Sequence, residues 1–258
     1  RPIGATAGAL AQIQDNLLRH AAHLARARER TGRTITLALE PEPMCYLETS
    51  DELVPFLEQQ IFAREAVARF CGLTGYSTTA AEAALRRHVG ICYDVCHAAI
   101  EFEDPAGSIA RLRGAGIGIF KLQLSAALRV PSVDHGTLAQ LQRFDEGVYL
   151  HQVVERRANG ELVRYLDLAP AFAAIERAYG SEWRVHCHVP VFMDKLTHLD
   201  TTQDFLSEIL NLHKRSAISP HLEVETYTFE ILPEELRRVD VASAVARELD
   251  WVKARLDA

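Results

Sequence analysis

Short apolar runs that end in a carboxylate or an imidazole recur along this chain, and amphipathic stretches separate them. This alternation constrains the fold more than any other feature. The runs are Ile35–Glu42, Val89–His97, Ile117–Ser125, Trp183–His188 and His221–Glu225. A parallel strand buried on both faces has an apolar body, and its C-terminal end opens where α/β folds bind ligands. Five such ends gather Glu40, Asp94, His97, Gln123, His186, His188 and Glu225 around one point.

The intervening segments carry helix signals. Leu10, Ile13, Leu17, Leu18, Ala21 and Leu24 recur at three- and four-residue steps over residues 8–30, and Gly32 closes that stretch. Ser50 with Asp51 and Glu52 marks a helix start. Further helices are expected over Thr78–His88, from Asp104 to Arg113, over 134–145, over 169–179, over Thr202–Leu212 and over Pro233–Leu256. Gly114, Gly116 and Gly118 precede a strand, whereas a dinucleotide loop follows one, so they are not a phosphate cradle. Residues 147–168 break the pattern. Two β-rich runs flank Ala158-Asn159-Gly160, a hairpin signal. The chain therefore reads as α/β with a parallel sheet, a single domain over 1–258 and a hairpin insertion at about 147–168.

A net charge of -7 argues against a nucleic-acid partner, which calls for Lys and Arg against phosphates. No apolar run reaches the roughly 18 residues that a membrane helix needs, so no membrane insertion is expected. Five cysteines, Cys45, Cys71, Cys92, Cys96 and Cys187, form an odd set placed in or near strand runs. Buried free thiols in a reducing, cytoplasmic compartment fit them better than a disulfide framework. Cys92 and Cys96, read as one strand, share a face and pack in the core.

Glu40 closes its strand just before Pro41, which holds it extended. Asp94-x-x-His97 follows a buried strand. His186-x-His188 places two imidazoles on one face, about 6–7 Å apart by strand rise. Glu223 and Glu225 alternate in the same way, with Glu225 the better ligand. Imidazole mixed with carboxylate suits a divalent ion, Zn, Mn, Fe or Co, whereas carboxylates alone lean to Mg. Lys121 and Arg129 lie within reach of the same mouth and suit an anionic or carbonyl group, or else a structural ion pair. Such groups support enediolate or hydride-shift chemistry on a hydroxy-carbonyl compound, with Glu40 and Glu225 serving opposite faces of a carbon. Metal-assisted hydrolysis uses the same set.

These motifs resemble the xylose isomerase-like TIM barrels, a superfamily of sugar isomerases, ketose epimerases and endonuclease-IV-type enzymes. The match lies in Glu40, Asp94-x-x-His97, Gln123 where the family usually has His, Arg129 six residues on, His188 of a seventh-strand motif, and Glu225. More narrowly, LALEPEP, YDVCHAAIEFED, KLQLSAAL, VYLHQVV and HCHVPVF resemble the TIM-barrel proteins of ebo-type metabolite-traffic gene clusters, over about residues 31–256.

The resemblance implies a (β/α)8 barrel of the xylose isomerase-like type, of which this chain carries strands four to eight, with strands one to three upstream of Arg1. It implies a divalent metal held by Glu40, Asp94, Gln123 and Glu225, with Glu40 and Glu225 also catalytic. His97, Lys121, Arg129, His186 and His188 would meet substrate, or the histidines a second metal. The implied partner is a small metabolite, sugar-like or phosphorylated, with further partners from the same gene cluster. A silent metabolite-binding protein and an endonuclease-IV-like phosphodiesterase are the competing outcomes.

Overall fold

A computed structural model describes residues 4–196, 199–225, 232, 234 and 239–257. The chain divides into two compact units. One comprises Arg1–Tyr93, Gly107–Lys121 and Ser219–His221; the other comprises Asp94–Ala106, Leu122–Ile218 and Leu222–Ala258. Both mix helices with strands. The strands make parallel and antiparallel pairs, and no closed barrel forms among the described residues.

The first unit opens with helix α1 (Ala7–Thr31). The Thr6 hydroxyl accepts the Ala9 N–H at its start, and Gly32 at φ 70° closes it. Strand β1 (Leu37–Leu39) follows, then helices α2 (Ser50–Gln60), α3 (Arg64–Thr74) and α4 (Thr78–His88), and strand β2 (Val89–Asp94). Helices α1, α3 and α4 pack on one another and bury Leu18, Ala21, Phe70 and Leu85. β1 and β2 run parallel, with Leu37 beside Val89 and Leu39 beside Ile91. Every residue of β2 is buried, whereas β1 is only half-buried. Ile13 and Leu17 of α1 line an apolar groove of about 240 Å³ with Leu39, Tyr46, Leu47 and Phe56. The forward part of the stripe expected on α1 thus faces a groove rather than a filled core.

The second unit contains helix α5 (Val95–Ile100), the tail of strand β3 (Ile119–Leu124), strand β4 (Ala126–Val130) and the short helix α7 (Thr137–Leu141). Between α5 and β3 the chain forms helix α6 (Pro105–Gly114), most of which belongs to the first unit. Next come strands β5 (Val153–Arg156) and β6 (Leu162–Tyr165), helix α8 (Leu168–Ala173), strands β7 (Glu182–Val189) and β8 (Asp200–Thr201), helix α9 (Gln203–Arg215), strand β9 (Leu222–Val224) and helix α10 (Val241–Asp257). The expected hairpin forms: β5 and β6 pair antiparallel across the Asn159-Gly160 turn. β9 pairs parallel with the end of β3, with Gln123 beside Glu223, whereas consecutive strands of a barrel would place Trp183–Cys187 between them.

The strand Trp183–Cys187 departs from the expected parallel order. As β7 it runs antiparallel to both β4 and β5. A single residue, Ser125, separates β3 from β4, so the chain stays extended there and offers a second edge. An apolar strand body does not encode direction, which is why the sequence pattern misses this. β4 and α3 also have no clear sequence signal. α3 starts at Ala63, which makes no side-chain cap bond. Of the closing helix expected over 233–256, residues 241–256 are helical, while 233 and 235–238 lie outside the described residues.

Alternation along β7 sorts its side chains onto two faces. Trp183, Val185, Cys187 and Val189 enter an apolar core with Leu128, Val130, Val153 and Leu168. Glu182, Arg184, His186 and His188 take the other face, towards α5, which packs on β4 and β7. Burying Trp183 completely is worth a few kcal/mol at about 25 cal/mol per Å². That anchor fixes the register that delivers His186 and His188.

Candidate metal centre

The second unit gathers Asp94, Cys96, His97, His186 and His188. Asp94 is the N-cap of α5. Its Oδ1 accepts the His97 N–H at 3.0 Å and the Ser125 hydroxyl at 2.7 Å. Ser125 in turn accepts the Cys96 N–H at 3.0 Å, so one serine ties the first turn of α5 to the β3–β4 junction. This arrangement leaves Asp94 Oδ2 buried with no hydrogen-bond partner among the described residues, 3.9 Å from His97 Nε2.

The three imidazoles converge through their Nε2 atoms. His97 Nε2 lies 3.1 Å from His186 Nε2, which lies 3.3 Å from His188 Nε2. Outer partners orient the last two rings. His186 Nδ1 faces Gln152 Oε1 at 2.8 Å, and His188 Nδ1 faces the Glu225 carboxylate at 3.1 Å. The Gln152 amide oxygen accepts from His186 Nδ1 and places that ring's proton there, and the negative charge of Glu225, 3.1 Å from His188 Nδ1, favours a proton on that nitrogen. Each then turns an Nε2 lone pair towards the other. Lone pairs at such distances repel unless a proton or a cation lies between them. Ligand nitrogens about 2.0–2.1 Å from a tetrahedral zinc stand roughly 3.3–3.4 Å apart, which the His186–His188 pair matches at 3.3 Å.

The electrostatics agree with ligand behaviour. Burial pushes the His188 imidazole down to about 4; Asp94 opposes that shift and His97 adds to it. Burial, then repulsion from His97 and His188, holds His186 well below the ordinary imidazole range. Burial works to raise Asp94, but the neighbouring charges of His97 and His188, with the Ser125 hydroxyl, bring it below the usual carboxylate value. Imidazole values lowered at His186 and His188, beside a lowered carboxylate at Asp94, favour the deprotonated forms that metal ligation requires. Within this cluster, Asp94, His97 and His188 each offer a ligand atom, and these atoms all lie within 4.8 Å of one another. The residues present therefore fit a divalent ion.

The other candidate residues fall as follows. Glu225 reaches the centre from behind, through His188 Nδ1. Gln123 is buried on β3, and its backbone oxygen accepts the Ser125 hydroxyl at 3.4 Å. The Arg129 guanidinium is committed to Glu182 at 2.9 Å and to Asp204 at 3.1 Å. Glu40 is exposed just after β1, and Lys121 is half-buried on β3; both belong to the first unit. Cys92 and Cys96 do not share a strand face, because Asp94 ends β2 and Cys96 is helical. All five cysteines are free thiols. His151 is held by Glu146 at 3.6 Å and Asp167 at 3.9 Å.

Sequence reasoning passes over Gln152 and Ser125, which orient the ligands. Gln152 occupies the position beside His186 on paired strands, a relationship visible only once β5 and β7 are known to be neighbours. No family model matches this chain, and no curated protein or solved structure matches it. No helix among the described residues is long and apolar enough to cross a membrane.

Proposed function

We propose that this chain is a metal-dependent isomerase- or epimerase-like protein acting on a small hydroxy-carbonyl metabolite, built on strands four to eight of a xylose isomerase-like barrel. Its role would lie in ebo-type metabolite traffic. The observation that carries the metal-centre reading is the convergence of three buried Nε2 atoms beside the bare Oδ2 of Asp94. The substrate class rests on the motif resemblance. The parallel β1–β2 pair, consecutive strands of that assignment, supports the barrel reading.

Asp94, His97 and His188 would hold the ion, with His186 at its flank. A divalent ion there supplies Lewis-acid polarisation of carbonyl and hydroxyl oxygens. The chain's own groups set the remaining chemistry. Gln152 and Glu225 fix the imidazole tautomers, as outer partners of metal-bound histidines do. Burial keeps His186 and His188 neutral, so each accepts rather than donates at Nε2. The same burial excludes water, which strengthens electrostatic contacts with a bound hydroxy-carbonyl group. Imidazole-rich ligation also favours a second reading, metal-assisted phosphoester hydrolysis; the net charge of -7 disfavours DNA as its substrate.

The test is elemental analysis of the purified protein beside Asp94→Asn and His188→Ala, followed by turnover assays on free and phosphorylated ketoses. A near-stoichiometric metal in the parent that disappears in His188→Ala, with ketose turnover lost in both variants, is the expected result. A metal-free parent that gains no activity when metal is added overturns the reading.

A further inference from the structure

The second unit holds another ligand set at the same histidines. Cys96 Sγ, a nitrogen of His186 and a nitrogen of His188 all lie within 4.8 Å of one another. Asp94, His97 and His188 form a set of the same size. The two share His188 and differ in chemistry: one adds carboxylate oxygen to imidazole, the other adds sulfur. Cys96 is fully buried, with Ile100, Ala127 and Val154 packed around it. Core packing accounts for that apolar side of the residue. It does not account for a sulfur that also meets two imidazoles whose outward nitrogens are already engaged by Gln152 and Glu225.

We propose that Cys96, His186 and His188 form a site for a thiophilic cation, zinc(II), cadmium(II) or copper(I), overlapping the Asp94–His97–His188 set at His188. The inference rests on the reading that this cluster binds metal, and it goes further by assigning the ion class and the sulfur ligand. Thiolate is a soft donor: it raises affinity for these ions and adds little for magnesium or manganese. Coordination replaces the thiol proton by the cation, and the proton leaves to solvent. Zinc bonds of about 2.3 Å to sulfur and 2.0–2.1 Å to nitrogen need ligand atoms roughly 3.3–3.7 Å apart, which small χ1 adjustments of Cys96 can deliver. With Nδ1 of His188 turned to Glu225, Nε2 is its one nitrogen left for a cation. A thiophilic ion at the sulfur set therefore excludes an ion at the oxygen set, and the two compete.

The experiment loads the full chain, Cys96→Ala and Asp94→Asn with one equivalent of zinc(II) or cobalt(II). Zinc-edge X-ray absorption and the thiolate-to-cobalt charge-transfer band are then read. The expected result is one sulfur scatterer and a charge-transfer band in the parent and in Asp94→Asn, both lost in Cys96→Ala. Zinc affinity of Cys96→Ala should fall at least tenfold while manganese affinity stays within about twofold. Metal bound by the parent without a sulfur scatterer overturns the inference and leaves the metal-centre reading standing. A parent that binds neither ion overturns both. Should Cys96→Ala fail to fold, the parent's absorption spectrum alone decides, because the presence or absence of sulfur is read there directly.

Discussion

His186 Nε2 and His188 Nε2 lie 3.3 Å apart on one strand, with their Nδ1 atoms turned outward to Gln152 and Glu225. Strand alternation alone leaves i and i+2 side chains about 6–7 Å apart. Here the outer partners tip the rings together, and the register shift opposite Ala127 and Leu128 gives His186 and Cys187 room to do so. A pair built this way is preorganised to share a cation.

Removing the orienting partners weakens metal binding without touching a ligand. Gln152→Leu and Glu225→Leu are each expected to lower zinc affinity by about 10–100-fold, the usual cost of losing an outer partner. Glu225→Gln, whose amide oxygen can still accept from Nδ1, should recover most of the loss. Competition titration against a chromophoric chelator measures all three.

Much of the cluster is legible in the sequence, because its signals are local. Asp94-x-x-His97 is a helix cap followed by the first turn, and His186-x-His188 is alternation on a strand. The rest depends on which strands become neighbours. Gln152 acquires meaning only through its pairing beside His186. Arg129 reads as a substrate ligand until Glu182 and Asp204, distant in sequence, are seen to bind it. The direction of β7 is likewise invisible, since an apolar run packs equally well either way.

Gly90 marks a backbone contact that admits no side chain. A Cβ there would stand 2.3 Å from the Gly118 carbonyl oxygen and 2.5 Å from the Phe120 ring. Ile91 donates to that same carbonyl at 2.9 Å, so neither strand can retreat without losing a ladder bond. Gly90→Ala is expected to destabilise the protein by about 2–3 kcal/mol, the scale of an overpacked core site. Urea unfolding with an unchanged m-value checks it.

Glu101 and Arg164 form an ion pair in which the carboxylate is fully buried and the guanidinium lies mostly so; Arg164 Nε is 3.0 Å from Glu101 Oε2. Removing Arg164 takes charge-assisted hydrogen bonds from a buried carboxylate. Arg164→Met should cost about 3 kcal/mol, while the double change Glu101→Leu with Arg164→Met should cost markedly less, because the buried carboxylate that loses its guanidinium is removed with it. A double-mutant cycle by chemical denaturation reads the difference.

Glu248 of α10 gives the fold a pH dependence of predictable sign. It is buried, and its carboxylate accepts the Val191 N–H at 3.0 Å. Burial raises it from the usual carboxyl value of 4.5 to about 7, with the Val191 bond opposing. The folded state therefore binds this proton more tightly than the unfolded chain does. Stability from this group is complete below pH 4.5 and falls as the pH rises towards 7, where the buried carboxyl ionises. The loss is at most about 3 kcal/mol, at 1.36 kcal/mol per pH unit. Glu248→Gln keeps an acceptor for Val191 and removes the ionisation. Its melting temperature should exceed the parent's at pH 8, and the gap should close as the pH approaches 4.5. A gap that stays constant across that range would show that packing around α10, rather than the proton, sets the difference.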